Sequence, residues 1–238
     1  MSGDFAVWVY LSRTPLLWLT VTLMAYLVAD RIALATNRHP IANPVLIAVV
    51  ITATILALTA TPYATYFEGA QFVHFLLGPA TVALAIPFYA YRGAVMRALL
   101  PMLAALVVGS VVALVSALSL GLALGVPRDV IVALGPKSVT TGVAMGIVEG
   151  LGGDPTLAAV LVMLTGMTGA ILVTPLMNGL RLEDMRARGF AAGLAAHGVG
   201  TARAFQVSEV AGTFAGIALG LNAFLTAILA PIAVTFLR

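Results

Sequence analysis

The sequence predicts an all-α polytopic membrane protein with about six to eight transmembrane segments, broken or re-entrant near 135–141 and 197–203. Three observations predict it. Of 238 residues, 61% are hydrophobic and 9% charged, against about 25% charged in a soluble domain; mean hydropathy is +1.09. The charges are also spaced: residues 39–67, 69–91, 98–127, 155–180 and 210–237 contain no Asp, Glu, Lys or Arg, and each run exceeds the ~20 residues that cross a bilayer core as a helix. A sixth run, 14–29, is shorter and gains length if Arg13 and Arg31 snorkel at its ends. Finally, two glycine-bearing polar stretches interrupt apolar sequence around Lys137 and His197.

In order along the chain, helices are predicted over 14–35, 44–61, 71–91, 94–125, 155–179 and 211–236, with less regular polar-interrupted segments at 128–152 and 188–209. Breakers separate them: Asn43-Pro44, Thr61-Pro62, Arg92-Gly93, Val126-Pro127, Gly152-Gly153-Asp154-Pro155 and the charged loop 181–188. Residues 5–10 carry Trp8 and Tyr10 and read as an interfacial stretch. The 98–127 run is long for one bilayer and contains Pro101, so tilt or a kink is expected. The loops are too short for a soluble domain, and 1–238 reads as a single integral membrane domain. The first segment lacks the basic start and small-residue cleavage site of a signal peptide. With no cysteine and three scattered histidines, disulfides, thiolate metal sites and a catalytic metal are not expected. No cofactor is implied. A net charge of +3 would suggest nucleic acid in a soluble protein; here the basic residues sit in short loops, where they set topology, and a nucleic-acid partner is not supported. Walker, GxSxG, HExxH and dinucleotide motifs are absent, so an enzyme is not expected.

The basic loops are 30–40, 92–97 and 181–188. If 128–152 and 155–179 both cross, the third loop falls on the side opposite the first two. If 128–152 leaves by the face it entered, all three share the cytoplasmic side, which the positive-inside rule favours. Internal repetition is suggested by Gly78-Pro79-Ala80-Thr81-Val82 echoing Gly135-Pro136-Lys137-Ser138-Val139, and by glycine faces at 142/146/150 and 212/216/220, spacings that let helices approach closely.

Lys137 is an ammonium in membrane-grade sequence, where burial costs roughly 2.5–3.5 kcal/mol. In Gly135-Pro-Lys-Ser-Val-Thr-Thr141, proline and glycine open the helix, and Ser138, Thr140 and Thr141 add hydroxyls. A cation, hydroxyls and a half-helix end suit a small carboxylate; the alternative is a lysine snorkelling to an interface. In Ala196-His-Gly-Val-Gly-Thr-Ala-Arg203 two glycines flank Val199, so unwinding is again expected, bringing His197, Thr201 and Arg203 together. Arg holds carboxylates through paired hydrogen bonds and His titrates near neutrality; the alternative is an interfacial loop with Arg203 facing phosphates. Glu149 could pair with Lys137, take a coupling proton as His197 could, or be a plain loop acid. The Thr165-Gly-Met-Thr-Gly169 run and Asn178 read as helix-packing features, His74 as a helix-end histidine, and Tyr89 and Tyr91 as an interfacial anchor.

Asn43-Pro44, Phe67-Glu-Gly-Ala-Gln-Phe72 and Leu76-Leu-Gly-Pro-Ala-Thr-Val-Ala-Leu84, with Leu134-Gly-Pro-Lys-Ser-Val-Thr-Thr141, Thr165-Gly166, Arg188-Gly189 and His197-Gly-Val-Gly-Thr-Ala-Arg203, resemble the LrgB (CidB/LrgB, antiholin-like) family over most of the chain. Gly142 departs from the proline expected after the paired threonines, which loosens the geometry of that break. The resemblance implies a multi-pass protein of the bacterial inner membrane, paired with a small LrgA-like, holin-like membrane protein. It implies modulation of murein hydrolase export and lysis, and in some relatives transport of pyruvate, glycolate or glycerate. The chain lacks an LrgA-like half, so the partner is a separate protein, with membrane lipid around it and self-association left open. The favoured expectation is a monocarboxylate transporter binding substrate through Lys137, Ser138, Thr140, Thr141, His197, Thr201 and Arg203, with Glu149 or His197 handling protons; the alternative is an antiholin-like lysis regulator without transport.

Overall fold

The computed structural model describes residues 14–83 and 85–235; the predicted interfacial stretch at 5–10 lies outside them. Among the described residues there are twelve helices and no strand. Five stretches are long and apolar enough to cross a membrane: Pro15–Ala35, Tyr63–Ala90, Leu99–Ala123, Pro155–Gly179 and Glu209–Thr235; the apolar helix Pro44–Leu58 is shorter. The chain divides into two compact units, one up to Ala85 and one from Ile86.

The first unit holds α1 (Pro15–Ala35), α2 (Pro44–Leu58) and α3 (Tyr63–Phe75), followed by α4 (Leu77–Ala83). α1 packs against both α2 and α3. Proline opens α1 and α2 at the first helical position, where its missing N–H costs nothing. Asn43 caps α2, its side-chain oxygen accepting from the amides of Val45 and Leu46 at 2.8 and 3.3 Å. Trp18 is fully buried, edge-on to Tyr66. Gly69 is what lets α3 approach, since a Cβ there would meet the α1 backbone at Pro15 and Leu19. The predicted 71–91 helix begins earlier, at Tyr63, because Pro62 sits at its N-cap and starts the helix instead of ending one. His74 lies in the last turn of α3 against Phe67, as a helix-end histidine.

The second unit follows α5 (Ala85–Ala90) with α6 (Arg92–Arg97), α7 (Leu99–Ala123), α8 (Arg128–Leu134), α9 (Thr141–Gly150), α10 (Pro155–Gly179), α11 (Met185–Val207) and α12 (Glu209–Thr235). The predicted 94–125 helix is split at Ala98. A proline ring clashes with the carbonyl four residues back, and for Pro101 that is Arg97, so the break falls between them and α7 itself is uninterrupted.

Two short hairpins are inserted among the long helices. In the first, Arg128, Asp129 and Val132 of α8 line one cavity of about 380 Å³ with residues 150–153 at the end of α9 and with Pro231 and Val234 of α12. The 128–152 segment therefore leaves at the end where it entered, beside the start of α10. Ile131 seats this hairpin against Gly121, Leu114 and Leu118 of α7.

The second hairpin is α11 itself. Ala196 and His197 leave helical geometry, His197 with φ 41° and ψ −133°. In a straight helix Arg188 and Arg203 would stand about 22 Å apart; here both line one small cavity with Gly189, Ala192 and Ala204, and Ala192 clusters with Ala204. The chain has turned back on itself. The predicted opening at the glycines 198–200 is thus placed at Ala196–His197, with helix resuming after it. Gly200 supplies room, since a Cβ there would meet the carbonyl of Ala192 and the Cβ of Ala196.

The first arm of α11 then runs alongside α12 in close contact. A Cβ on Gly189 would strike the backbone of Ala211, and one on Gly193 that of Ala215. This Gly-xxx-Gly on Ala-xxx-Ala face is the close approach that small residues permit. It differs from the two faces expected from sequence: Gly142, Gly146 and Gly150 have no described atom within 4 Å of an added Cβ, and Gly212 packs on the Phe205 ring.

The start of α7 and the base of the second hairpin share a groove containing Arg97, Asp184 and Arg186. Basic loops 92–97 and 181–188 therefore gather at one end of this unit, while the base of the first hairpin, with Arg128, is at the other. The re-entrant reading of 128–152 accounts for this charge distribution, and the positive-inside rule assigns the Arg97/Arg186 end to the cytoplasm.

Candidate functional site at the hairpin tips

The ten residues of α9 and the twelve of the first arm of α11 rise about 15–18 Å, half of the ~30 Å hydrocarbon core, while α8 has seven residues. Hairpins from opposite ends should therefore meet near the middle of the long helices, and their contacts place the tips there. His197 donates from Nε2 to the carbonyl of Val162 at 2.9 Å, and its ring fills the space over Gly166, where a Cβ would lie 2.6 Å from Nε2. Val162 and Gly166 belong to the middle of α10. Val162 also packs against Val139 and Ala144 at the first tip.

Asn222, at the centre of α12 and 1% exposed, ties the tips together. Its Nδ2 donates to the carbonyl of Ser138 in the first tip (3.2 Å) and to that of Leu194 just before the second bend (3.1 Å). Its Oδ1 accepts from Ser110 of α7 (2.7 Å) and from Thr226 one turn along α12 (3.1 Å). An amide side chain has two donor hydrogens and two acceptor lone pairs, and all four are used.

The first tip is a run of turns. Lys137 N–H donates to Leu134 and Val139 N–H to Pro136, both at 3.2 Å. Ser138 and Val139 are buried, and Lys137, Thr140 and Thr141 are half-buried. Lys137 Nζ lies 3.5 Å from Ser138 Oγ, a weak contact. Thr140 is the N-cap of α9, yet its hydroxyl makes no capping bond. The second tip is a single bend, with Thr201 Oγ1 donating to the carbonyl of His197 at 2.8 Å. A carbonyl can only accept, so Nε2 of His197 must carry hydrogen, and Nδ1 is the ring nitrogen at which a proton can be gained or lost.

The structure therefore brings Lys137, Ser138, Thr140, Thr141, His197 and Thr201 to two adjoining tips. Arg203 lies one and a half turns below His197 toward the hairpin base, in the small cavity with Arg188 and Thr174, its Nη1 3.3 Å from Gln206 Oε1. Glu149 is exposed in the last turn of α9, away from the tip. Ion pairs among the described residues are Arg38–Asp30 and Arg186–Asp184, so Glu149 is not paired with Lys137. Arg188 is fixed by Asn178, 2.6 Å from its Oδ1, which gives Asn178 the packing role expected of it.

Sequence reasoning missed Asn222 and Ser110. The signal was present, an amide in the middle of a 27-residue helix that carries no charge after Glu209, where polar groups face the protein interior.

The LrgB-like family matches residues 22–236. The uncharacterized protein YwbG of Bacillus subtilis is 33% identical over 221 residues, 92% of this chain and 97% of that protein. Uncharacterized YxaC of the same organism is 32% identical over 82% of this chain and 85% of its own. The holin-like protein CidB of Staphylococcus aureus is 30% identical over 217 residues, 91% of this chain and 94% of that one. No solved structure matches. With five helices of membrane-crossing length and a family match across both units, the chain is a multi-pass bacterial membrane protein that belongs to the LrgB family.

Proposed function

We propose that the protein carries a small monocarboxylate, of the pyruvate or glycolate kind, across the membrane. The observation that carries this reading is the pair of opposed hairpins whose tips abut near mid-membrane, one bearing Lys137 and the other His197. Irregular backbone at bilayer depth is tolerated where it is buried in protein or lines a cavity, and helices broken at the midplane build substrate sites in secondary transporters.

In this mechanism Lys137 supplies the charge for the carboxylate. The uncapped first turn of α9 supplies amides at the positive end of a helix, and Ser138, Thr140 and Thr141 orient the substrate. His197 exchanges a proton at Nδ1 while Nε2 stays anchored on Val162, and Thr201 holds the bend. Arg203, nearer the cytoplasmic base, receives the anion on its way through. Each hairpin opens toward its own face, and Asn222 keeps one tip seated while the other moves. A small LrgA-like membrane protein assists as a separate chain.

The test is uptake of labelled pyruvate and glycolate into proteoliposomes under an imposed pH gradient, with and without an LrgA-like partner. Uptake is expected for the wild type and loss of it for Lys137→Ala, with the variant still correctly inserted. Wild-type rates in Lys137→Ala would end this reading. The holin-like name of the CidB relatives favours a second one, an antiholin-like regulator of murein hydrolase export and lysis. Under it neither preparation takes up carboxylate, and Lys137→Ala leaves lysis unchanged.

A further inference from the structure

The groove between α7 and the first arm of the second hairpin has a use that the tips do not require. It measures about 630 Å³, and its walls are apolar: Pro101, Ala105 and Val108 on one side, Ala191 and Leu194 on the other, with Phe190 in the floor. Its mouth holds Arg97, Asp184 and Arg186, and it ends at Gly109, where a Cβ would strike Leu194. Arg97 to Gly109 is twelve residues, about 18 Å of helix, close to the depth of one leaflet of a ~30 Å core. At the mouth Asp184 takes Arg186 through Nε and Nη2 at 2.6–3.1 Å, which leaves Arg97 as the uncompensated charge. Arg97 is exposed and lies at the end that charge bias assigns to the cytoplasm.

We propose that this groove binds one anionic phospholipid of the cytoplasmic leaflet, its phosphate on Arg97 and one acyl chain laid along α7 as far as Gly109. An apolar trench one leaflet deep fits a chain that is anchored at the membrane surface, and the positive mouth selects a negative headgroup. A carboxylate substrate would find nothing polar below the rim. The acyl chain would press on the arm whose Leu194 carbonyl is held by Asn222, so lipid occupancy bears on the seating of the second tip. The site stands independently of transport.

Native mass spectrometry of the full chain tests it, with phosphatidylglycerol and phosphatidylcholine of matched acyl chains added in turn. One retained phosphatidylglycerol per chain is expected, preferred over phosphatidylcholine roughly fivefold, the contribution of one basic residue at a membrane surface. Arg97→Gln should abolish the preference while leaving weak binding of both lipids. Ala105→Trp, which fills the trench, should remove both. Arg92→Gln, an exposed cation nearby whose guanidinium rests over the Tyr89 ring, should change nothing. Equal retention of the two lipids by the wild type overturns the proposal. So does displacement of the lipid by glycerol phosphate alone, or an Ala105→Trp protein that keeps its lipid. If Ala105→Trp instead splits a self-associated chain without changing lipid count, the groove is a protein interface and the proposal is wrong. Arg97→Gln touches no buried contact, so folding does not confound that arm.

Discussion

The two hairpins break the same rule, continuous helix at membrane depth, in opposite ways. The first interrupts itself with six non-helical residues between α8 and α9 and leaves its backbone to turns and to Asn222. The second interrupts itself at two residues and stores the deviation in one, His197, at a φ that L side chains rarely adopt. The first buries one side, Ala133, Val139, Ala144 and Val148, and leaves the glycine face of α9 open, with no described atom within 4 Å of an added Cβ; the second is wedged against α10 and α12 with glycine at each crossing. The first tip bears a half-buried lysine, and the second bears a histidine whose ring is held on the Val162 carbonyl. Under the proposed transport reading, the first hairpin receives the substrate and the second is held.

The contrast is broken most directly by placing the same side chain on both hairpins. Gly193→Leu must displace the Ala215 backbone and should cost about 3 kcal/mol, at the upper end for overpacking. Gly146→Leu on α9 should be near neutral. Thermal midpoints of the purified proteins decide it, and equal losses would mean the two arms are packed alike.

Asn222→Leu should come next. It strands two carbonyls and two hydroxyls, and at the membrane scale of roughly 0.6 kcal/mol per hydrogen bond the loss is about 2 kcal/mol. Because the chain has no cysteine, single cysteines at Thr140 and Val199 can report on both tips. Both should label faster in the Asn222→Leu background, and acceleration of only one would show that the clasp serves that tip alone.

A sharper comparison lies at the second bend. His197→Ala and His197→Gly both lose the bond to Val162, but glycine accepts φ 41° and ψ −133° without strain. The glycine variant should therefore be the more stable by about 1 kcal/mol. If alanine is the better tolerated, the bend relaxes when the ring is removed.

The smallest effect is expected at the base of that hairpin. Hydrogen bonds from Arg186 hold the Asp184 carboxyl down at about 2. A lowered folded-state value means the contribution is present above the ordinary carboxylate pKa of about 4 and is lost as pH falls toward 2. The pair is exposed, so wild type should exceed Asp184→Asn by no more than about 0.5 kcal/mol at pH 7, the gap closing by pH 2. A gap that persists at pH 2 would trace to the N-cap and not to the charge.

Much of this was legible in the residue order. Pro155 to Gly179 was bounded correctly by its turn residues, and the break after Leu134 follows from Gly135-Pro136. The same-side return of 128–152 could be argued from loop charges alone. The point of reversal in α11 could not. Glycines at 198 and 200 advertise flexibility, but a bend falls where a neighbour can hold it, and that neighbour is the Val162 carbonyl, 35 residues away. The glycine faces were misjudged for the same reason. Spacing says which helices can approach closely, and only the partner's side chains say which do.

By itself the sequence determined that the protein lives in a bilayer, where some of its helices start and stop, Pro155–Gly179 among them, and which residues are too polar to face lipid, because each follows from local transfer and backbone energies. Tertiary structure alone decided that two broken segments from opposite faces meet, that Asn222 joins them, and that Arg203 and Glu149 stand apart from Lys137. Those are long-range pairings, set by which buried donor finds which acceptor once the helices have packed.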